Sequence, residues 1–386
     1  MSELFPDYQA PWEAEDHTLL RAQAAKFFAR EATPNQERWA KQHQVDRAFW
    51  NKSGDAGLLC PGLPEEYGGG GGNFGHEAVV QEELALAQDT AFGFSVHSTI
   101  VAHYVAAYAT EEQKQRWIPA MASGEKVIGI AMTEPGTGSD LQAVRTTAAR
   151  DGDHYVINGS KTFISNATHA DLMIIVAKTD KAEGARGISL FVVEVDQAEG
   201  YERGRVLEKI GQHGQDTREL TFTDLRVPAE NLLGGQEGQG FYQLMEQLPR
   251  ERLIIGIAGV AMTEAAVMEA IKYAKLRTAF GQPIIQFQNT RFVLAECKTE
   301  VLAAKTFMDH CVQRYMDGNL DAATASMAKL YGTDKQVEII DRCLQVFGGY
   351  GYLMEYPIAQ MYAAARVQKI YGGTNEIMKE LIGRSL

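Results

Sequence analysis

The chain has 386 residues and carries 50 acidic and 37 basic side chains, for a formal net charge of −13 at pH 7. This length allows two or three structural units with sizeable cores. The excess of negative charge repels phosphates, so we expect no nucleic-acid partner, although a local basic patch could still bind an anionic ligand. The four cysteines form no C-x-x-C pair and the nine histidines show no metal-ligand spacing. We therefore expect reduced thiols and no metal site.

The N-terminal sequence, residues 1–7, is acidic and lacks the basic start and apolar stretch of a secretory signal. No window of about 18 uninterrupted apolar residues occurs, so we predict no membrane span. The last residues, 383–386, differ from the peroxisomal address S-K-L. Cytoplasm is the expected compartment, and a processed organellar protein is the alternative.

Residues 1–125 are predicted to form a helical domain. The apolar residues between 19 and 28 recur with a period of about 3.6. The sequence TEEQ at 110–113 is that of a capping box, which predicts the start of a helix there, with Trp117 and Ile118 on its buried side.

Residues 126–235 are predicted to form a β domain, because short β-type runs such as 172–176 and 188–193 alternate with Gly, Asp and Asn. DGD at 151–153 and Asn158-Gly159 are predicted hairpin turns. Repeated hairpins without intervening helices favour an antiparallel barrel or sandwich and exclude a doubly wound dinucleotide fold.

The sequence GTGS at 136–139 is accordingly not a Rossmann fingerprint, since it lacks the third glycine and the following helix. A glycine-rich loop on a sheet can still present backbone amides, together with the hydroxyls of Thr133 and Ser139, to a flavin or its pyrophosphate.

Residues 236–386 return to long helical patterns, with turns near 280–283, 317–319 and 347–351, which predicts a four-helix bundle. The predicted fold class is α+β, mainly α.

The sequence LPRER at 248–252 interrupts an apolar helical run. Pro249 is expected to start or bend the helix there. Glu251 is then a carboxylate on irregular backbone beside an apolar wall, where desolvation should raise its pKa, as a general base requires. The alternative, and the more usual case for such a cluster, is an exposed Arg-Glu-Arg turn.

Several segments occur together with this cluster: AMTEPGTGSD at 131–140, NGSKTFISN at 158–166, RTAFG at 277–281, QVFGG at 345–349 and YGGT at 371–374. In this order and at these spacings they closely resemble the flavin-dependent acyl-CoA dehydrogenases. The resemblance runs from about residue 10 to the C-terminus.

Most members of that family carry their catalytic glutamate directly after the tyrosine of the C-terminal motif, where this chain has Gly372. In the long-chain and isovaleryl branches the base comes instead from a helix, immediately before an arginine, and Glu251-Arg252 matches that pattern. Two carboxylates at one site would disturb each other's pKa, so the exchange is expected. The sequences at 93–98, 248–252 and 373–380 are most similar to the long-chain branch.

The resemblance implies FAD-dependent α,β-dehydrogenation of a fatty acyl-CoA of medium or long chain, which gives trans-2-enoyl-CoA. Glu251 would remove the α-proton, and the thioester oxygen would accept hydrogen bonds from a ribityl hydroxyl of FAD and the amide of Gly372. The alternatives are an isovaleryl-type branched short-chain dehydrogenase, an acyl-CoA oxidase and a non-catalytic flavin- or CoA-binding scaffold. Gly256, Ala258 and Gly259 could open a deep acyl pocket or serve close helix packing.

The resemblance also implies a homotetramer, an electron-transfer flavoprotein as electron acceptor, and a set of contacts for the FAD cofactor and the acyl-CoA. For Arg277 a helix C-terminal cation is an equally good interpretation, and for residues 163–165 so is a plain strand. The implied flavin contacts within one subunit are Ile130, Met132, Thr133, Gly138, Ser139, Phe163, Ile164, Ser165, Thr374 and Glu376. Those to a neighbouring subunit's flavin are Arg277, Phe280, Gln288, Gln345, Val346, Gly348 and Gly349. The implied acyl-CoA contacts are Ser139, Tyr242, Pro249, Arg252, Tyr371, Gly372 and Gly373.

Overall fold

The computed structural model of the chain describes residues 4–386, apart from the side chain of Gln197, so the start of the acidic N-terminal sequence lies outside the described residues. The predicted α+β class with mainly helical content is confirmed: helices precede and follow a β-sheet. The N-terminal helices are α1 (Glu15–Glu31), α2 (Gln36–Gln42), α3 (Arg47–Asp55), α4 (Phe74–Leu86), α5 (Ala102–Tyr108) and α6 (Glu111–Ala122).

The start of α6 confirms the predicted capping box. The Thr110 hydroxyl accepts a hydrogen bond from the backbone N–H of Gln113, at 3.3 Å, and the Gln113 side chain accepts one from the N–H of Thr110, at 2.9 Å. Trp117 and Ile118 are fully buried, as the helical pattern predicts. A π-helical segment, Ser95–Val101, leads directly into α5.

The predicted β domain is confirmed as a seven-stranded sheet of β1 (Val127–Ala131), β2 (Thr147–Asp151), β3 (His154–Ser165), β4 (Ala170–Lys178), β5 (Ile188–Glu194), β6 (Tyr201–Val206) and β7 (Thr217–Pro228). The strand order is β1-β4-β2-β3-β7-β6, with β5 paired to β4. The sheet is mixed rather than wholly antiparallel, because β1 and β4 pair in parallel. In the sequence, the β2–β3 hairpin comes between β1 and β4. The chain then returns, and β4 pairs with β1 in the same direction.

The hairpin predicted at 151–153 joins β2 to β3. The hairpin predicted at Asn158-Gly159 is wrong, since both residues lie inside β3, at a shift in its register with β7. The Asn158 side chain bonds to Asp224 on β7 in both directions, at 3.0 and 2.8 Å, so the dipeptide forms a bulge instead of a turn.

The predicted C-terminal helical region is confirmed, and it contains five helices instead of the predicted four. Its helices are α7 (Gly240–Leu276), α8 (Gln288–Met316), α9 (Ala322–Phe347), α10 (Pro357–Gln368) and α11 (Asn375–Gly383), with a short hairpin of β8 (Thr278–Ala279) and β9 (Gln282–Pro283) after α7. Helices α7 and α9 approach closely where Gly256 faces Gly332, because a Cβ on Gly332 would lie 2.9 Å from the Gly256 carbonyl oxygen. The small residues on α7 could open a deep acyl pocket or allow close helix packing, and the contact of Gly256 with Gly332 supports close packing.

Pro249 neither starts nor ends a helix but lies inside α7. The expectation that Glu251 sits on irregular backbone is therefore wrong. A proline removes one intrahelical hydrogen bond, and the burial of Leu244 and Leu253 on either side keeps the helix continuous. Among residues 4–386, α7 is also the helix long and apolar enough to cross a membrane, and 78% of its most apolar window is buried within the fold, which is typical of a core helix.

Candidate active site

The LPRER cluster is buried. Arg250, Glu251 and Arg252 are 5%, 4% and 6% exposed, so the alternative of an exposed Arg-Glu-Arg turn is wrong. The Glu251 carboxylate accepts a hydrogen bond at Oε1 from the hydroxyl of Tyr104 on α5, at 2.6 Å. Burial raises the pKa of Glu251, and the Tyr104 hydrogen bond and the charges of Arg252 and Arg250 only partly oppose this effect. The carboxylate is thus more basic than an exposed glutamate.

The two flanking arginines differ in their partners. Arg250 donates to the Thr99 carbonyl oxygen at 2.9 Å and to the Tyr315 hydroxyl at 3.1 Å, and it forms an ion pair with Glu77. Arg252 has a buried Nε without a hydrogen-bond partner in the part of the chain that the structure describes. A buried donor without an acceptor is costly, so Arg252 is the arginine with a bonding group left for a ligand.

Gly372 lies against the helix face that carries Glu251. A Cβ at Gly372 would lie 2.4 Å from Cδ1 of Ile255, and Ile255 is one helical turn after Glu251 on α7. Gly372 has φ +66°, a conformation that glycine adopts without steric cost. No acceptor for its backbone N–H is found between residues 4 and 386, so this donor is available.

Lys329 on α9 holds the turn that contains Gly372. Its ammonium group donates to the Gly373 carbonyl oxygen and to the Asn375 side chain, each at 2.8 Å. Thr374 caps α11 by accepting from the N–H of Ile377, at 3.4 Å. The sequence did not single out Lys329, Ile255 or Tyr104, because each reads as an ordinary helical residue.

Hydrogen bonds from a buried lysine on β3 hold the loop that follows β1. The buried ammonium of Lys161 donates to the Met132 carbonyl oxygen at 3.1 Å and to Glu134 at 2.9 Å. At the exposed end of the loop, the backbone N–H groups of Gly138 and Ser139 have no acceptor among the described residues. Such a row of free amides suits an anionic group such as a pyrophosphate.

Phe163 extends from β3 with 67% of its surface exposed and φ +60°. It lines a cavity of about 400 Å³ together with Arg205 and Lys209. Ile164 beside it is buried and Ser165 is half-buried. The exposed ring of Phe163, held at a positive φ, offers a flat apolar cover for a planar cofactor; the lining also contains Glu208, and Arg205 pairs with Glu219.

A second cavity, of about 450 Å³, lies at the end of α7 and α9. Its lining includes five of the predicted flavin contacts, namely Arg277, Gln345, Val346, Gly348 and Gly349. The Arg277 guanidinium lies over the Tyr350 ring, 5.7 Å from the centroid, and forms no ion pair with a carboxylate of residues 4–386. Arg277 is also the C-cap residue of α7, so its second interpretation stands as well. Phe280, 97% exposed, and Gln288 lie outside this cavity.

The remaining predicted contacts are spread over the surface of the site. Ile130, Met132, Thr133, Pro249, Gly373 and Thr374 are half-buried, whereas Tyr242, Tyr371 and Glu376 are exposed. Apart from the site, Asp16, His17 and His76 bring their ligand atoms within 4.8 Å of one another, across α1 and α4. The Nδ1 atoms of both histidines already accept backbone N–H groups that cap these helices, at 3.0 and 3.1 Å.

Comparison with known proteins identifies the family. Models of the N-terminal, middle and C-terminal domains of acyl-CoA dehydrogenases match residues 14–125, 129–225 and 238–386. The chain is 46% identical to the mitochondrial long-chain specific acyl-CoA dehydrogenase of Sus scrofa, over 97% of this chain and 87% of the relative. It is 33% identical to the short-chain specific acyl-CoA dehydrogenase of Clostridium acetobutylicum, over 95% of this chain and 97% of the relative.

The crystal structure of an acyl-CoA dehydrogenase from Geobacillus kaustophilus matches with a TM-score of 0.95 at 45% identity, over 98% of this chain and 99% of that chain. The resemblance stated from the sequence motifs is confirmed. The chain belongs to the acyl-CoA dehydrogenase family, whose members are FAD flavoproteins and oxidoreductases acting on CH–CH groups.

Proposed function

We propose that this protein converts fatty acyl-CoA thioesters of medium or long chain to trans-2-enoyl-CoA. The observation that supports the proposal is that a buried carboxylate and a free N–H face the same region. Glu251 lies on α7, and Gly372 packs against Ile255, one turn further along the same face of that helix. The first group can take a proton from the substrate. The second can donate a hydrogen bond to the oxygen that gains charge as the proton leaves.

In the proposed mechanism Glu251 removes the α-proton of the thioester. Its raised pKa narrows the gap in acidity between the carboxyl group and the α-carbon. The Gly372 N–H stabilises the charge that develops on the thioester oxygen, an effect worth about 3 kcal/mol for one such donor. Bound FAD would supply the hydride acceptor for the β-carbon, and Gly138, Ser139 and Phe163 would hold it. Arg252, with its unpaired Nε, contacts the acyl-CoA.

The proposed FAD site has two parts. The first combines the amides of Gly138 and Ser139 with Phe163, and the second is the cavity lined by Arg277 and Gly348. We assign the second part to the flavin of a neighbouring subunit, in a homotetramer. Phe280 is 97% exposed, so its ring is available to a partner subunit, and burial of an aromatic ring stabilises an interface.

The preference for longer chains is supported by the 46% identity to the long-chain relative, although the short-chain relative at 33% is also similar. We propose an electron-transfer flavoprotein as the acceptor of the electrons and cytoplasm as the compartment. All four cysteines are buried and free, which fits a reducing compartment. The name of the Sus scrofa relative places that protein in mitochondria.

The test is a Glu251→Gln variant, which keeps the shape of the side chain but cannot take the proton. Anaerobic mixing with acyl-CoA substrates of increasing length should bleach the flavin of the parent fastest for medium or long chains. We expect the variant to lose at least about a thousandfold in rate, since no other carboxylate replaces the base.

Other outcomes select the alternatives. Bleaching of the variant at the parental rate would reject Glu251 as the base. A rate maximum at four or five carbons would favour the isovaleryl-type enzyme, and peroxide release without an added acceptor would favour an oxidase. A parent that no acyl-CoA bleaches would be a binding scaffold.

A further inference from the structure

Tyr104 supplies the single hydrogen bond that the Glu251 carboxylate receives within residues 4–386. Its hydroxyl lies 2.6 Å from Oε1, and its side chain is fully buried on α5. A carboxylate can only accept, so the phenol is the donor. The second oxygen, Oε2, has no hydrogen-bond partner in the described chain and is the oxygen left open to a substrate.

Among the residues that the structure describes, no ion pair competes with this hydrogen bond. Arg250 is occupied by Glu77, Thr99 and Tyr315, and Arg252 makes no ion pair with a carboxylate of the described residues. An arginine bound directly to Glu251 would depress its pKa and fill its oxygens. A neutral phenol fixes the orientation of the carboxylate while leaving it basic.

The position of Tyr104 is itself fixed. Its neighbour His103 lies 2.5 Å from Glu77 of α4 and 2.7 Å from Arg250 of α7. Two consecutive residues of α5 therefore contact two consecutive residues of α7. The phenol is held against Glu251 by an ionic network in which Glu251 takes no part.

We infer that Tyr104 is a positioning residue that orients Glu251 through Oε1, so that Oε2 points at the proton to be removed. This inference rests on the proposed role of Glu251 as the base. The hydrogen bond favours the ionised carboxylate and lowers the pKa of Glu251 against the effect of burial. Loss of the phenol should both loosen the base and keep it protonated to a higher pH.

Other titratable or charged groups near Glu251 could also shift its pKa. From α5 it faces Tyr104 and Tyr108, and on its own helix the charges of Arg250 and Arg252 act on it. More distant groups act through the arginines: Glu77 and His103 on Arg250, and Lys329 of α9 on Arg252.

The test is a Tyr104→Phe variant, with Tyr108→Phe as its matched control. Tyr108 lies one turn away on the same helix, and its hydroxyl bonds to Glu246 at 2.9 Å and not to Glu251. In Tyr104→Phe we expect kcat to fall about tenfold at neutral pH with KM little changed, and the acidic limb of kcat/KM to move up by about one pH unit. Tyr108→Phe should leave the limb in place.

The outcomes separate this inference from the proposed function. A parental pH profile in Tyr104→Phe, or equal shifts in both variants, would overturn the positioning role. If substrate bleached the flavin of Glu251→Gln at the parental rate, Glu251 would not be the base, and the proposed function would fail independently of the tyrosine variants.

A second variant covers the case in which Tyr104→Phe does not load FAD. 3-Fluorotyrosine at position 104 keeps the ring and strengthens the donor, and burial together with Glu251 raises the pKa of this phenol so that it stays protonated. The acidic limb should then move to lower pH. An unchanged limb would count against the inference.

Discussion

In the proposed reaction, Glu251 and Gly372 come from two distant parts of the chain. Glu251 could be predicted as a base because a charged cluster on an apolar helix matches a family motif. Its burial then follows from the bundle, where α7 packs against α4, α8 and α9. The contact of Gly372 with Ile255 could not be predicted, because it depends on how the turn before α11 meets α7.

Gly372→Ala tests the role of that turn. An L-residue at φ +66° costs about 1–2 kcal/mol, and the new Cβ would push Ile255 away from its present position. We expect a lower free energy of unfolding in urea and a kcat reduced about tenfold, because the displaced N–H no longer meets the thioester oxygen.

Gly318→Ala is the control for Gly372→Ala, since Gly318 has φ +70° and open space around it. It should lose only the part of the stability that the positive φ costs, and it should keep its kcat. Equal kcat values in the two variants would mean that the Gly372 amide does not take part in the reaction.

Other residues of the site have no signal in the sequence. Tyr104 and Lys329 fit the helical pattern of their segments, and nothing marks one as a partner of Glu251 or the other as the support of Gly373. Such roles arise from pairings between residues far apart in the chain. Only coordinates reveal them.

At the scale of elements, local propensity was overridden twice by tertiary packing. Pro249 reads as a helix start, yet α7 passes through it because both flanking stretches are buried. Asn158-Gly159 reads as a hairpin turn, yet β3 continues because its pairing with β7 resumes beyond Gly159. Where neighbours do not intervene, as in the TEEQ capping box, the local pattern was sufficient.

The Lys161–Glu134 ion pair joins the loop after β1 to the sheet, and Lys161→Met tests its importance. Both side chains are at most 5% exposed, so the variant leaves Glu134 charged, buried and without its cation. We expect a loss of about 3–5 kcal/mol in unfolding free energy and faster FAD release, because Met132 loses its tie to β3.

The double variant Glu134→Gln with Lys161→Met should recover part of that stability, since it removes both charges. Breaking the exposed pair of Arg226 and Asp151 by Asp151→Ala should change the unfolding free energy by at most about 1 kcal/mol. If Lys161→Met behaved like Asp151→Ala, the pair would not secure the loop.

For the whole molecule, the order of helical, β and helical regions could be predicted because hydrophobic periodicity changes twice along the chain. The parallel pairing of β1 with β4 could not, since it depends on the route the chain takes between them. The predicted flavin contacts also fall into two groups at different places in the fold. Phe163 and Arg277 line two different cavities of the chain.

Subunit complementation tests whether a neighbouring chain supplies the second group. Arg277→Ala removes the cation of one cavity and Glu251→Gln removes the base, so each homogeneous protein should be inactive. In assemblies coexpressed from both variants, some sites would combine Glu251 of one chain with Arg277 of its neighbour. For statistical pairing across a reciprocal interface, roughly a quarter of the sites should regain activity.

Arg277→Lys distinguishes the two interpretations of Arg277. A lysine satisfies the helix C-terminus of α7 equally well, but it cannot bind a pyrophosphate through two parallel hydrogen bonds. We therefore expect Arg277→Lys to keep the stability of the parent and to bind FAD about tenfold more weakly. If coexpressed assemblies remained inactive while both variants formed mixed oligomers, Glu251 and Arg277 of one chain would serve the same site. If Arg277→Lys bound FAD as tightly as the parent, Arg277 would serve only the C-terminus of α7.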